Sequence, residues 1–409
     1  MKNILILFTA EFPFGKGETF LETEIDYLSK GFDKVIIITR GIADSSTRSV
    51  PQNVKLVRVK AELSPLGRLR SLFNVFDFKF RKELKIIRSV YQIKVSLGIL
   101  KTMLISLQEG KRFQKLLRKE LVQLSSNDRI VAYSYWCDDT ALACAMEKRI
   151  NNKFTAVTRI HGWDLYFERS SIGYLPFRHF IAENMNKIVS ISDNGKNYCR
   201  DTWRVNSTEN IIVSRLGVPK QGILNRENQV FLLVTCSNLI PLKRLGLLIE
   251  ALSKVKERKM KWVHFGDGKL FSKLKDQALD SLPENVEWKF MGRIENRSLL
   301  DWYRNNKPNL FLNLSSSEGV PVSIMEAMSF GIPVIATDVG GNSEIVNNKN
   351  GYLLDANPSS EDVSNKITKY YNLDLEEKNK YRKAAYYTWN EMSNADKNYT
   401  QFIEAILAL

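Results

Sequence analysis

The chain has 409 residues, too many for one ordinary hydrophobic core, so two domains are expected. Its four cysteines show no CxxC spacing and it has only three histidines, which argues against a Cys/His metal site and reads as free thiols in a reducing compartment. The net charge is +15, but residues 60–119 carry fifteen Lys and Arg against four Asp and Glu, and the rest of the chain supplies only +4.

In chain order, residues 3–9 read as a buried strand. The apolar run Ile4 to Phe8 is too short for the core of a signal peptide, and no stretch reaches the length that spans a bilayer, so a cytoplasmic protein is expected. The loop Gly15-Lys16-Gly17 follows, then an amphipathic helix over 18–30 and strands at 34–40 and 54–59. A strand, a Gly-containing turn and a helix can cradle phosphate on backbone N–H groups. A tight turn without a ligand explains the same residues, because the third glycine of the dinucleotide fingerprint is missing. Residues 66–123 read as two or three basic helices that are also rich in Phe, Leu and Ile. A basic amphipathic segment suits an anionic membrane surface. Nucleic acid is the rival partner and a solvated face the bland alternative; no standard nucleic-acid module is present, so nucleic acid is not expected. Strands at 128–133, 154–160 and 187–191 complete the first half. The second of these ends in Arg159-Ile160-His161-Gly162, placing His161 at a strand's carboxyl end, where parallel sheets build their sites.

Gly, Pro and polar residues over 214–228 mark a linker. Alternation then resumes, with strands at 230–236, 261–265, 286–291, 309–314 and 333–336, and another at 351–354. Between the fourth and fifth lies Ser315-Ser316-Ser317-Glu318-Gly319 and a helix over 321–330, for which Pro321 suits the first position. The helix start offers free N–H groups to an anion. Its one charged residue, Glu326, sits on an otherwise apolar helix. A buried carboxylate needs donors. A sugar's vicinal diol would supply two, and a backbone or basic neighbour would do as well.

These residues resemble the retaining glycosyltransferases of family 4, the glycosyl transferases group 1, of bacterial surface-polysaccharide type. The resemblance is carried by residues 237–252 (SNLIPLKRLGLLIEAL), 264–270 (HFGDGKL), the Gly292-Arg293 turn and 317–341 (SEGVPVSIMEAMSFGIPVIATDVGG), in order and spacing. Glu318 and Glu326, with seven residues between them, match the EX7E signature. The first half is similar more loosely, through Gly15-Lys16-Gly17 and His161. The resemblance implies an α/β protein of GT-B fold: two Rossmann-like domains facing across a cleft, the first over 1–218 and binding the acceptor, the second over 219–393 and binding the nucleotide sugar, with a last helix, 394–409, returning to the first.

It also implies roles. Glu326 would accept from the ribose hydroxyls and Glu318 from hydroxyls of the transferred sugar. The N–H groups of Gly319, Val320 and Val322 would meet the sugar and diphosphate. Lys243 would bind the diphosphate beside Arg244, and the Gly292-Arg293-Ile294 turn would lie beside the base. His161 would stand near the donor sugar, with the Gly15-Lys16-Gly17 loop on the acceptor side. The chain departs from the family at Asn238, where an Arg is usual, so Lys16 or Arg293 would complete the clamp. No DxD triplet occurs, so a hexosyltransferase without a metal or other cofactor is expected, its diphosphate held by Lys243 and a helix N-terminus. The partners implied are a nucleotide sugar, chiefly a UDP-sugar, and a saccharide acceptor linked to polyprenyl diphosphate, taken from the cytoplasmic face of the membrane. A sugar-nucleotide epimerase on the same scaffold is the alternative.

Overall fold

Uninterrupted apolar runs become the central strands of two parallel sheets. In the computed structural model, which describes residues 1–15, 17–41, 48–59, 63–205, 208–224, 230–256 and 258–409, the first sheet contains β1 (Asn3–Thr9), β2 (Lys34–Thr39), β3 (Val54–Arg58), β4 (Arg129–Ser134), β5 (Thr155–Ile160), β6 (Lys187–Ser190) and β7 (Ile211–Val213). Their order is β3-β2-β1-β4-β5-β6-β7. Helices α1 (Leu21–Gly31), α2 (Pro65–Ser71), α3 (Phe78–Ser89), α4 (Leu97–Val122), α5 (Asp139–Lys148), α6 (Arg178–Asn184) and α7 (Asp193–Thr202) accompany it. Side chains of β1 alternate between two cores: Ile4, Ile6 and Phe8 join one, Leu5 and Leu7 the other. That alternation is the period of a strand covered on both faces.

The second sheet contains β8 (Phe231–Cys236), β9 (Met260–Phe265), β10 (Val286–Phe290), β11 (Leu310–Asn313), β12 (Val334–Thr337) and β13 (Gly351–Leu354), in the order β10-β9-β8-β11-β12-β13. Its helices are α8 (Leu245–Ser253), α9 (Phe271–Ser281), α10 (Asn296–Asn306), α11 (Val322–Ser329), α12 (Asn342–Ile345), α13 (Ser360–Tyr371) and α14 (Leu375–Met392), and α15 (Ala395–Leu407) follows. Every strand pair in both sheets is parallel. These are two Rossmann-like α/β units. In each, the chain leaves a central strand in both directions, β1 toward β2 and β4, β8 toward β9 and β11. The crevice at such a reversal of strand order, at the carboxyl ends, is where open parallel sheets bind ligands.

The units comprise Met1–Arg215 with Tyr399–Leu409, and Leu216–Asn398. The divisions expected at 218 and 394 fall differently because those two segments hold each other. Val218 bridges to Asn394, Ala395 N donates to Val218 O at 3.2 Å, and a Cβ on Gly217 would lie 2.4 Å from Ala395 Cα. Other differences are local. Helix α1 begins at Leu21, not at 18, because Glu18 is left-handed (φ 55°) and its carboxylate serves the preceding loop. Pro321 is the N-cap of α11, with ψ 122°, and helical geometry begins at Val322. The three-residue strand β7 carries too short a pattern to be read from sequence. Residues 66–123 contain α2, a 3-10 turn over Leu72–Phe76, α3 and α4. Among the described residues no helix is long and apolar enough to cross a membrane.

Candidate active site

In the second unit, the loops after β8 and β11 converge on Glu318. Lys243 ends a 3-10 turn, Pro241–Lys243, and its Nζ lies 2.5 Å from Glu318 Oε1. The same oxygen accepts from Ser315 Oγ at 2.6 Å and from Asn313 Nδ2 at 3.2 Å. Asn313 Oδ1 in turn accepts from Ser315 N at 3.1 Å, which fixes the amide. Glu318 is buried, and with three donors on Oε1 its other oxygen is left to meet a ligand hydroxyl. The sequence reading placed Lys243 and Glu318 on different parts of a ligand; here they form one ion pair.

Three residues on, Pro321 caps α11 without a side-chain hydrogen bond, and no acidic residue lies in the first turn. The N–H groups and dipole at Val322 therefore favour an anion. Gly319 and Val320 form the approach. Gly319 O accepts from Gly341 N at 2.7 Å, and Gly340 (φ 57°) comes so close that a Cβ there would sit 1.9 Å from Glu318 O.

Glu326 lies one turn further in, buried. Its Oε1 accepts from Asn296 Nδ2, the first residue of α10, so its partner is a neutral amide. Burial pushes its pKa up to about 7, with the Asn296 hydrogen bond pulling the other way. Burial, with Glu326 close by, also lifts the Cys236 thiol to about 12. The Tyr303 hydroxyl is buried without a partner and its pKa is raised by burial, then by Cys236 and Glu326. Asn296, Cys236 and Tyr303 escaped the sequence reading. Only the position of Asn296 just after the Gly292-Arg293-Ile294 turn offered a signal. That turn stands at the end of β10: Gly292 (φ 70°) accepts from Gly266 N at 2.9 Å, Ile294 is half-buried and Arg293 exposed.

Beside Lys243, Arg244 has protein partners of its own. Arg244 is left-handed (φ 49°), which swings its guanidinium away from the Lys243 ammonium. It donates to the carbonyls of Leu314, Ser315 and Ala356 at 2.5, 2.7 and 2.8 Å and to Asn357 Oδ1 at 3.1 Å. It ties the β11 loop to the segment after β13. Asn238 is exposed and contributes its carbonyl to Ile240 N.

In the first unit, His161 follows β5. Its Nδ1 faces Asp164 Oδ2 at 3.4 Å and its backbone N–H donates to Asp164 Oδ1 at 2.9 Å. Cys137 N donates to Asp164 Oδ2 at 3.0 Å. Burial alone would raise the Asp164 pKa, but His161 and these N–H groups hold it below the usual value. The imidazole lies among Trp136, Tyr135 and Phe20, with ring centroids at 4.4, 4.9 and 6.2 Å. Nε2 is buried without a hydrogen-bond partner. A ring fixed on one side and open on the other is suited to a ligand hydroxyl.

Of the Gly15-Lys16-Gly17 loop, Lys16 lies outside the described residues, and the N–H groups of Gly15 and Gly17 are taken up within the protein. The Glu18 carboxylate accepts from Ala10, Glu11 and Phe12 N–H at 2.9, 2.8 and 2.7 Å and from Trp136 Nε1 at 2.6 Å. The Glu11 carboxylate takes the Gly17 N–H, Glu11 O takes the Gly15 N–H, and Arg48 donates to the carbonyls of Gly15 and Gly17 at 2.6 Å each. A phosphate here would have to displace the Glu11 carboxylate from Gly17 N–H and the Glu11 carbonyl from Gly15 N–H. Gly15 and Gly17 have a steric role: a Cβ on either would lie within about 2.1 Å of the Glu11 carboxylate.

A parallel sheet with an anion-ready helix, a buried carboxylate and a lysine at its switch point is an arrangement suited to an anionic ligand. Residues 220–388 match the glycosyl transferases group 1 family. Over 217 residues it is 29% identical to an uncharacterized glycosyltransferase, MJ1178, of Methanocaldococcus jannaschii, covering 53% of this chain and 58% of that one. Over 182 residues it is 29% identical to the O-antigen biosynthesis glycosyltransferase WbnH of Escherichia coli, covering 41% and 50%. Over 149 residues it is 29% identical to an Escherichia coli UDP-Gal:alpha-D-GlcNAc-diphosphoundecaprenol alpha-1,3-galactosyltransferase, covering 34% and 36%. The chain thus spans at most 58% of the length of these curated relatives. Among solved structures, sucrose-phosphate synthase of Thermosynechococcus elongatus superimposes with a TM-score of 0.73 at 14% identity, covering 98% of both chains. Anabaena HepE with UDP-glucose gives 0.67 at 16%, covering 100% of both. The fold is that of the GT-B glycosyltransferases.

Proposed function

We propose that the chain is a retaining, metal-independent glycosyltransferase of family 4, moving a hexose from a UDP-sugar to a lipid-linked saccharide in surface-polysaccharide assembly. The observation that carries this is the convergence of Glu318, Lys243 and the uncapped start of α11 at the switch point of the second sheet. In this reading the ribose diol donates to Glu326 and the diphosphate lies between the α11 N-terminus and Lys243. Glu318 Oε2 accepts from a sugar hydroxyl, and in the first unit His161 Nε2 is left for a ligand hydroxyl. When the anomeric C–O bond breaks, the leaving diphosphate gains charge, and a lysine and a helix dipole already aimed at it stabilise that charge without reorganising. The acceptor hydroxyl attacks from the face the diphosphate leaves, its proton passing to a phosphate oxygen. Support for the donor and acceptor comes from the relatives named for UDP-glucose and for a diphosphoundecaprenol-linked sugar.

The test is thermal denaturation with UDP-, GDP- and ADP-sugars, since a ligand held by the folded state alone raises Tm. UDP-sugars should shift it, and Glu326→Gln should weaken the shift. A sign follows for pH. The raised Glu326 pKa means its contribution to stability without donor is full below about 4.5 and falls as pH rises through about 7. A diol donates best to the ionised carboxylate, so donor affinity should increase through the same window and flatten above it. Titration calorimetry at several pH values checks this; a wild-type profile matching that of Glu326→Gln would remove Glu326 from the donor site.

A membrane-facing role for residues 60–119 belongs to the same reading. Leu66, Leu69, Leu72, Phe73, Phe76 and Phe78 are 56–71% exposed, interleaved with exposed Arg68, Arg70 and Arg81. Apolar groups left in water beside cations suit an anionic bilayer surface. The protein should float with anionic vesicles at low salt and be released at high salt, and Phe73→Ser with Phe76→Ser should abolish flotation. No partition at low salt would refute the role.

A further inference from the structure

The turn that follows β5 presents one large side chain to solvent. From 159 to 165 every residue is buried except Trp163, which is 47% exposed. The backbone on either side of it is fixed. Before it, Gly162 O accepts from Leu165 N and Tyr166 N at 3.3 and 3.0 Å. After it, the Asp164 carboxylate takes the N–H groups of His161 and Cys137, Asp164 O accepts from Arg178 Nε at 3.0 Å, and Leu165 O accepts from Trp203 Nε1 at 3.3 Å. The Trp163 indole packs against Trp136, with ring centroids 5.2 Å apart and planes tilted by 40°. Trp136 is itself pinned, its Nε1 donating to Glu18 Oε1 at 2.6 Å, and it meets the His161 ring at 4.4 Å. Trp136 thus stands between a solvent-facing indole and an imidazole whose Nε2 is buried without a hydrogen-bond partner. Burying an indole stabilises a fold, and a turn this rigid withholds that burial from Trp163. The surface it leaves is preorganised for a ligand. The face of the indole is electron-rich, and the lone imidazole nitrogen lacks a polar partner. A pyranose ring answers both at once, with electropositive C–H hydrogens on a face and hydroxyls around its rim. A phosphate has no such face, and a hydrocarbon chain has no hydroxyl.

We propose that Trp163 is a stacking platform for a pyranose ring and a specificity-determining residue of the first unit. The ring lies on the exposed indole, and a rim hydroxyl reaches past Trp136 to His161 Nε2. Selection is for sugars whose C–H hydrogens gather on one face, as in the galacto configuration, where the axial hydroxyl leaves the opposite face bare. An axial hydroxyl on the stacked face would hold the ring off the indole. The role rests on the transferase reading above only for which substrate, sugar donor or saccharide acceptor, brings the ring.

The test is saturation-transfer NMR on the full chain with two probes: methyl β-D-galactopyranoside, and galactitol, which carries hydroxyls of the same configuration but has no ring. The hydrogens on the apolar face of the galactoside should receive most of the saturation, and galactitol should receive none. Trp163→Ala, at an exposed position outside the cores, should weaken galactoside binding about tenfold, the upper end of what an aromatic face contributes. Trp163→Phe, which restores a face, should keep most of the affinity. Absence of saturable contact with the wild type, equal contact for galactitol, or equal affinities for wild type and Trp163→Ala overturns the assignment. Turnover of UDP-galactose and other nucleotide sugars is measured in parallel. A raised KM in Trp163→Ala for the nucleotide sugar puts the donor's ring on the indole, and a raised KM for the acceptor puts the acceptor's ring there; either supports the platform. If the galactoside contacts Trp163 as stated but no nucleotide sugar is turned over, the platform stands and the transferase reading falls. If sugar is transferred and Trp163→Ala keeps the wild-type KM for both substrates, the transferase reading stands and the platform falls.

Discussion

Lys243→Ala is expected to lower kcat/KM for sugar transfer by about 10²–10³, the usual cost of removing one preorganised charge from a transition state. The size follows from what surrounds the residue. Asn238 is neutral and exposed, and Arg244 is held by three carbonyls and an amide. Within the β8 and β11 loops the developing charge is thus left to Lys243 and the start of α11. The substitution also strips the cation from Glu318, which is buried with Lys243 Nζ at 2.5 Å. Because the two act as one unit, Lys243→Ala and Glu318→Ala together should cost less than the sum of the single changes. Steady-state release of nucleotide in the presence of acceptor measures both. A wild-type rate for Lys243→Ala would sink the assignment, and strict additivity would show that the ion pair has no part in the reaction.

The second large effect is on stability. Arg159, two residues before His161, is fully buried, and its Nη1 lies 2.7 Å from Glu24 Oε2 of α1, also fully buried. Tyr133 Oη donates to the other Glu24 oxygen at 3.3 Å, and Phe402 of α15 covers the guanidinium at 4.4 Å. Removing one member of such a pair leaves an uncompensated charge in the core, so Arg159→Leu should cost about 3–5 kcal/mol, while Glu24→Gln with Arg159→Met should recover much of it. Urea denaturation of the three proteins reads this directly from the midpoints. A loss below about 1 kcal/mol for the single variant, the range of an exposed pair, would mean the pair is not buried in solution.

Much of the fold was legible because long apolar runs have one reading in a parallel sheet. Strands β1, β2, β5, β8 and β9 fall within a residue or so of their expected bounds. The two glutamates were legible through their spacing and the apolar company of Glu326. What the sequence concealed were contacts between distant segments. Asn296 meets Glu326 across thirty positions, and Lys243 meets Glu318 across seventy-five. The diversion of Arg244 depends on a backbone angle that a non-glycine residue rarely adopts. Before α1 the glycines stand out in sequence, whereas Glu11 and Glu18, whose carboxylates take nearby N–H groups, look like ordinary polar residues.

The crossing of the chain from Asn398 to Tyr399 matters for the order of synthesis. The second unit is one unbroken segment, but the first closes only with Tyr399–Leu409. On the ribosome Arg159 is made long before Phe402, the ring that covers it. Until residues 399–409 are read, the first unit lacks the helix that covers its core cation and carries that charge partly uncovered. Chain release before them would therefore spare the second unit and leave the first, with His161, as the part recognised by quality control.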